Sequence, residues 1–271
     1  MKKYLFTIFL SISSLLASPS CYDYYKVERQ EIPSSFNTAV FILIDETTLF
    51  NESLKKEVWD NVLKFIQAGN YVYIAKFSAF INNNYNTKVF DFSLDTPLTQ
   101  QERYDTRKDT LAKLDKCLND QFIYVAQNAQ KSIFESFQSI ANAIPKSDIL
   151  FSLKDFSENI IEPTQAERKI VILASDMLEN SSVSSFYSKG SMRLITPQDE
   201  LKNIEENSLW GNFGGAEVYV VGAGLVTSDK GTNYRDPKKL ARLKGFWSSY
   251  FEKSDAKLVE MGQPSLKKII Q

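Results

Sequence analysis

The stretch Ala39-Val40-Phe41-Ile42-Leu43-Ile44-Asp45-Glu46-Thr47-Thr48-Leu49 decides the fold. It opens with six apolar residues in a row, mostly β-branched or aromatic. Such a run predicts a strand buried on both faces, and strands of that kind belong to parallel sheets covered by helices. The strand ends on a carboxylate. Ligands of open α/β sheets gather outside the carboxyl ends of the strands, so Asp45 and the hydroxyls beyond it stand where binding or chemistry is expected. Asp45 and Thr47 also have a plain structural reading, as caps of the next helix.

Outward from this strand, strands and helices alternate. A helix is predicted over 51–68, with Leu54, Val58, Val62, Phe65 and Ile66 on one face and Gly69-Asn70 as its stop. Strands follow at 71–77 and 88–92, joined by a turn over 81–86, so a hairpin is expected beside the opening strand. Residues 100–143 carry apolar positions at spacings of three and four. That predicts two helices broken near 117–121. Ser147-Asp148 caps a further helix that Glu162-Pro163 closes. Then Lys169-Ile170-Val171-Ile172-Leu173-Ala174-Ser175-Asp176 repeats the opening theme, a buried strand delivering an Asp at its carboxyl end. A helix at 198–207, a strand at 217–222, a helix at 236–252, a strand at 256–260 and a terminal helix at 264–270 complete the chain. The expected fold is therefore α/β: a doubly wound, mostly parallel sheet flanked by helices, with one antiparallel edge strand.

The N-terminus reads as a leader. Met1-Lys2-Lys3 precedes an apolar run from Tyr4 to Ala17 and then small residues at Ala17-Ser18-Pro19-Ser20, the pattern of a secretory signal peptide. Proline directly after a cut would block it, so cleavage is expected after Ala17 or Ser20. Residues 1–20 are thus assigned to the signal, 21–37 to an extended N-terminal arm, and 38–271 to the main domain with a helical insertion at about 97–146. Abundant Lys, Asn and Ile suggest a bacterial chain bound for the periplasm, and no other stretch is long and apolar enough to span a bilayer. The only cysteines are Cys21 and Cys117. In an oxidising compartment a lone pair favours a disulfide over two unrelated thiols.

Composition removes several functions. With no histidine in 271 residues, His-based triads, His-ligated zinc and imidazole acid/base chemistry are excluded. A net charge of -1 and interspersed Lys, Arg, Asp and Glu offer no basic stripe for a nucleic acid. Gly222-Ala223-Gly224 after a strand lacks the third glycine of a dinucleotide fingerprint and reads as a turn needing positive φ. Ser175 or Ser181 as a nucleophile would have neither histidine nor a well-placed lysine beside it.

What remains is Asp45, Thr47, Ser147 and Asp176: carboxylates and hydroxyls from two strand ends and one helix start, a hard-oxygen set suited to Mg²⁺ or Mn²⁺. Residues from about Asn37 to Gln271 resemble a von Willebrand factor A-type domain. The resemblance lies in Asp45-Glu46-Thr47-Thr48-Leu49, similar to the family's Asp-x-Ser-x-Ser after the first strand. Ser147 resembles the later Thr, and Asp176 the Asp after the fourth strand. Leu49 departs from the pattern, standing where the second serine would bind metal. The resemblance implies a non-enzymatic protein-binding module, in which a cation offers an open position to an acidic group on a partner. An envelope assembly such as a secretion or conjugation system is the setting by analogy. The alternative is a structural scaffold whose site has decayed and holds no metal. If the metal reading holds, neutralising Asp45 is expected to leave stability unchanged or slightly raised.

Overall fold

In the computed structural model every residue from Ala39 to Ile44 is fully buried, and the sheet is built outward from this run. The structure describes residues 20–30, 32–81, 84–137, 147–188, 191–225 and 236–271. In chain order its elements are α1 (Cys21–Tyr25), β1 (Phe36–Asp45), α2 (Glu52–Leu63), β2 (Tyr71–Ile81), β3 (Asn84–Ser93), α3 (Gln100–Asp105), α4 (Lys108–Ser136), α5 (Ile149–Phe156), β4 (Ala166–Ala174), β5 (Tyr187–Ser188), β6 (Ser191–Met192), α6 (Pro197–Glu206), β7 (Ala216–Val221), α7 (Pro237–Lys253) and β8 (Ala256–Met261).

The six-stranded sheet runs β3-β2-β1-β4-β7-β8. All neighbours are parallel except β2 and β3, which form the expected hairpin with β3 as the antiparallel edge. Burial of β1 on both faces follows from its period of two. Ala39, Phe41 and Leu43 enter a core with α5, α6 and α7, which includes Leu153, Ile204 and Trp247. Val40, Ile42 and Ile44 face α2 and α4 through Val58, Val62, Val125 and Ile133. Helices thus cover both faces, the doubly wound α/β arrangement expected from the alternating pattern.

Several local expectations change: the helix expected over 51–68 ends at Leu63, and Asp148 precedes α5 without a side-chain cap bond. The arm begins with the short helix α1, which Ser20 caps by accepting from the Tyr22 amide, and the first strand already starts at Phe36. Residues 100–136 do form two helices, but the break falls at Thr106 and Arg107, where the backbone is extended. The stretch 117–121 lies inside α4, with Leu118 and Gln121 on its buried seam; the end of the expected helical region, 138–143, lies outside the described residues. After α5 the chain continues as a π-helical turn, Ser157–Ile161, before the proline. The tail over 264–270 is not helical. Its amides bond to side chains of α2 instead of to their own turn: Leu266 N to Glu57 Oε1 at 2.6 Å and Ile270 N to Asn61 Oδ1 at 2.8 Å.

Cys21 and Cys117 form a disulfide that ties α1 to the first half of α4, with Cα atoms 5.9 Å apart and a sequence separation of 96. Closing a loop of this length contributes on the order of 4 kcal/mol in the chain-entropy model. Tyr22, Leu98, Leu114 and Leu118 form a small apolar cluster around it. Asp95 holds the same junction by accepting from the Cys21 amide at 2.7 Å and from Gln121 Nε2 at 2.9 Å.

Candidate metal centre

Register places the two strand-end carboxylates side by side. Ile44 pairs with Ala174, so the residues that follow, Asp45 on β1 and Ser175-Asp176 after β4, leave the sheet at the same level. Ser147 arrives from a different direction. It precedes α5 and is held by the loop after β4, the Asn180 amide bonding to its carbonyl at 3.0 Å. A buried carboxylate, Glu179, fixes that helix start by accepting from the Leu150 amide at 2.9 Å. The turn at Gly222-Ala223-Gly224 closes beneath the site. Gly222 and Gly224 have φ of 101° and 70°, and Gly224 N donates to the Asp176 carbonyl at 2.8 Å. A side chain at Gly222 would meet the Phe50 ring at 2.5 Å, so glycine is required there for close approach as well as for φ.

Asp45 is the hub. It is fully buried. Its Oδ1 accepts from the Thr47 amide at 2.9 Å and from Thr47 Oγ1 at 2.6 Å. Its Oδ2 accepts from Ser175 Oγ at 2.8 Å and Ser147 Oγ at 3.3 Å. Thr48 joins the two carboxylates: its hydroxyl acts on Asp45 and accepts from the Asp176 amide at 3.2 Å. Asp176, 6% exposed, accepts from the Leu178 amide through Oδ1 at 2.8 Å and from Tyr187 Oη through Oδ2 at 2.7 Å. The structure therefore brings Asp45, Thr47, Ser147 and Asp176 into one polar cluster, and neither Asp45 nor Thr47 is the N-cap of α2, a place that Asn51 takes.

Sequence reading passed over three members of the cluster. Ser175 figured only as a nucleophile, whereas its hydroxyl donates to Asp45 and accepts from the Met177 amide at 2.9 Å. Its position next to Asp176 was the available signal. Thr48 was visible as one more hydroxyl after the strand. Tyr187 had no local signal. Leu49, by contrast, is half exposed and supplies no oxygen.

The electrostatics are unbalanced. Burial pushes the Asp45 carboxyl up against the hydrogen bonds from Thr47, Ser175 and Thr48 that pull it down. Burial first, and the Asp45 charge second, push Asp176 up to about 8. No lysine or arginine among the described residues forms an ion pair with either carboxylate; Lys76, the nearest in register, pairs with Glu46 at 2.8 Å. Glu179 is also pushed up to about 8, by burial. Two close carboxylates out of water need a cation or a proton between them.

Hard oxygen donors and an uncompensated acidic pair fit a small divalent cation in chemical type. The fit lacks the oxygen that Leu49 withholds. Among the described residues no three acidic, cysteine or histidine side chains gather into a metal-binding group, so a cation here would depend on hydroxyls and water to complete its shell. A cavity of about 930 Å³ lies away from the cluster, between the N-terminal arm and the start of β1, lined by Tyr22, Arg29, Phe36, Asp95 and Thr96 among others. It touches none of the residues of the Asp45–Asp176 cluster.

No protein-family model matches the chain, and no curated protein matches it. Several solved structures overlap it loosely. The pilus adhesin SpaC from Lactobacillus rhamnosus GG is 12% identical with a TM-score of 0.42, over 85% of this chain and 28% of its own. Proximal thread matrix protein 1 from the mussel byssus is 16% identical with a TM-score of 0.34, over 71% of this chain and 40% of its own. The chain thus spans less than half the length of either. An aerotolerance-related membrane protein from Bacteroides fragilis is 9% identical with a TM-score of 0.33, over 81% of this chain and 89% of its own.

Proposed function

We propose that this chain is an exported, periplasmic binding module of the von Willebrand factor A type. In this reading Asp45, Thr47, Ser147 and Asp176 hold Mg²⁺ or Mn²⁺, and the cation offers an open position to an acidic group on a protein partner within an envelope assembly. The observation that carries it is the pair of buried carboxylates with no cationic side chain in an ion pair with either among the described residues. When bound, the cation supplies a Lewis-acidic position for a carboxylate ligand. The chain's own residues do the rest: Asp45 orients the Thr47, Ser147 and Ser175 hydroxyls, and Thr48 sets the Asp176 backbone against them. No catalytic step is assigned, because the serine beside the carboxylates has its hydroxyl proton directed at Asp45 and no general base of the histidine type exists in the chain.

Export is supported by the leader-like N-terminus and by the disulfide, which suits an oxidising compartment. Among the described residues no helix is long and apolar enough to cross a membrane. A second reading, a scaffold component with a metal-free site, is favoured by Leu49 and by the full set of protein donors already on Asp45.

Calorimetric titration of Mg²⁺ and of Mn²⁺ into EDTA-treated, buffer-exchanged mature protein separates the two. The binding-module reading expects one saturable site for each ion, with competition between them. Flat titrations into the millimolar range for both ions would move the case to the scaffold.

A further inference from the structure

Asp176 differs from Asp45 in how its carboxylate is held. Asp45 accepts from the Thr47 amide and from the Thr47, Ser147 and Ser175 hydroxyls, and Thr48 acts on it as well, all groups of the strand-end loops or the start of α5. Asp176 has one backbone donor on Oδ1 and one side-chain donor on Oδ2, the Tyr187 hydroxyl at 2.7 Å. Tyr187 reaches it from outside the strand-end loops, on β5.

That reach is built, not incidental. Phe186, the preceding residue, is fully buried and packs edge-on against Phe246 with ring centroids 5.0 Å apart. The Arg193 amide donates to the Phe186 carbonyl at 2.7 Å, and Arg193 Nε to the Ser185 carbonyl at 2.9 Å. Arg193 is in turn paired with Glu200 on α6, which also accepts from Ser184 Oγ at 2.6 Å. Core packing on one side and the Arg193–Glu200 pair on the other therefore aim the Tyr187 hydroxyl at a single carboxylate oxygen.

A proton directed at a carboxylate oxygen stabilises the cation-free carboxylate and opposes a positive ion at the same oxygen. We infer that Tyr187 is an affinity-setting residue of this site, a built-in competitor whose hydroxyl must yield Asp176 Oδ2 before a divalent cation can take it. The inference rests on the proposed cation reading and names the residue that regulates it. Tyr187 then serves two ends: it satisfies Asp176 in the cation-free protein and keeps the site from filling at low cation concentration.

The test is a Mg²⁺ titration by calorimetry on EDTA-treated wild type and Tyr187→Phe, with melting curves of both in EDTA. Phenylalanine keeps the ring and removes only the donor. Hydrogen bonds to charged groups contribute ~1.5–3 kcal/mol, so the variant should bind Mg²⁺ at least about tenfold more tightly, while melting lower than wild type in EDTA. A merely structural tyrosine would lower the EDTA melting temperature and leave the Mg²⁺ affinity unmoved. Equal or weaker affinity in the variant, with wild type binding Mg²⁺, overturns the competitor role and leaves the cation reading standing. If neither protein binds Mg²⁺, both are overturned together.

Discussion

Asp45→Ala should melt well below wild type in EDTA and in Mg²⁺ alike, whereas Asp45→Asn should melt near wild type in EDTA and fail to respond to Mg²⁺. The alanine removes the acceptor of one amide and three hydroxyls at a fully buried position. The hydroxyls can rotate toward other acceptors, but the Thr47 amide cannot. Leaving buried donors unmatched costs about 1–3 kcal/mol each, and a net loss of about 3 kcal/mol is expected. At ~2–4 °C per kcal/mol for a chain of this size class, the melting temperature should fall by about 6–12 °C. Asparagine keeps an oxygen for Thr47 and turns an amide toward Ser147 and Ser175, whose hydroxyls can accept as well as donate. What it lacks is the charge. Wild type at a Mg²⁺ concentration 100 times its Kd should gain ~2.7 kcal/mol, and Asp45→Asn should gain nothing measurable. This corrects the expectation that simple neutralisation leaves stability unchanged or raised: only the isosteric change can, because Asp45 organises four donors. An alanine variant as stable as wild type, or an asparagine variant with the full Mg²⁺ response, contradicts the assignment.

The second large effect is on pH. Asp176 and Glu179 are both pushed up to about 8, chiefly by burial, and Asp45 is pushed up as well. The folded protein thus keeps protons that the unfolded chain has already lost near pH 4, and the unfolded state binds fewer protons across the interval. The contribution of these three groups to stability in EDTA should therefore be fully present below about pH 4 and be lost as pH rises toward about 8. Carboxylates whose values are lowered, Asp115 and Glu217 among them, lose their contribution only as pH falls below the ordinary range and do not mask this slope. Shifts of this kind correspond to a loss on the order of a few kcal/mol. Saturating Mg²⁺ should flatten the decline, since the cation replaces the proton, so the Mg²⁺-induced rise in melting temperature should be small at pH 5 and large at pH 8. Asp176→Asn should remove much of the slope in EDTA and leave the part that belongs to Glu179. A melting temperature that rises steadily from pH 5 to 8 in EDTA would contradict the buried, uncompensated pair.

Much of this fold was written locally. A run of six apolar residues can alternate into two helix layers only if helices lie on both faces, and Ala39 to Ile44 do so. A second such strand followed by Asp176 placed both acids at the carboxyl end of the sheet, because parallel neighbours in register end together. Ser147 was legible only as a hydroxyl at a helix start, to which the family resemblance added a role; its contact with Asp45 spans 102 residues and has no local mark beyond a serine before a helix. Tyr187 was illegible for the same reason, since its aim is set by Phe186 in the core and by Arg193 and Glu200. The tail shows the converse error. Its sequence suits a helix, yet Glu57 and Asn61, 209 residues away, take its amides and outweigh a weak local preference. The helix break moved because Cys117, Leu118 and Gln121 lie on the inward side of α4, with Cys117 bonded to Cys21 and Gln121 to Asp95, and the chain bends earlier, where Thr106 donates its hydroxyl to the Glu102 carbonyl at 2.7 Å.

The central claim is that a divalent cation sits among Asp45, Thr47, Ser147 and Asp176. Crystals of the mature protein grown with Mn²⁺ and measured at the manganese absorption edge test it directly. The account predicts an anomalous difference peak within bonding distance of oxygens from these residues, with the Tyr187 hydroxyl withdrawn from Asp176. A map with no peak there at saturating Mn²⁺, and the Tyr187–Asp176 bond intact, would contradict it.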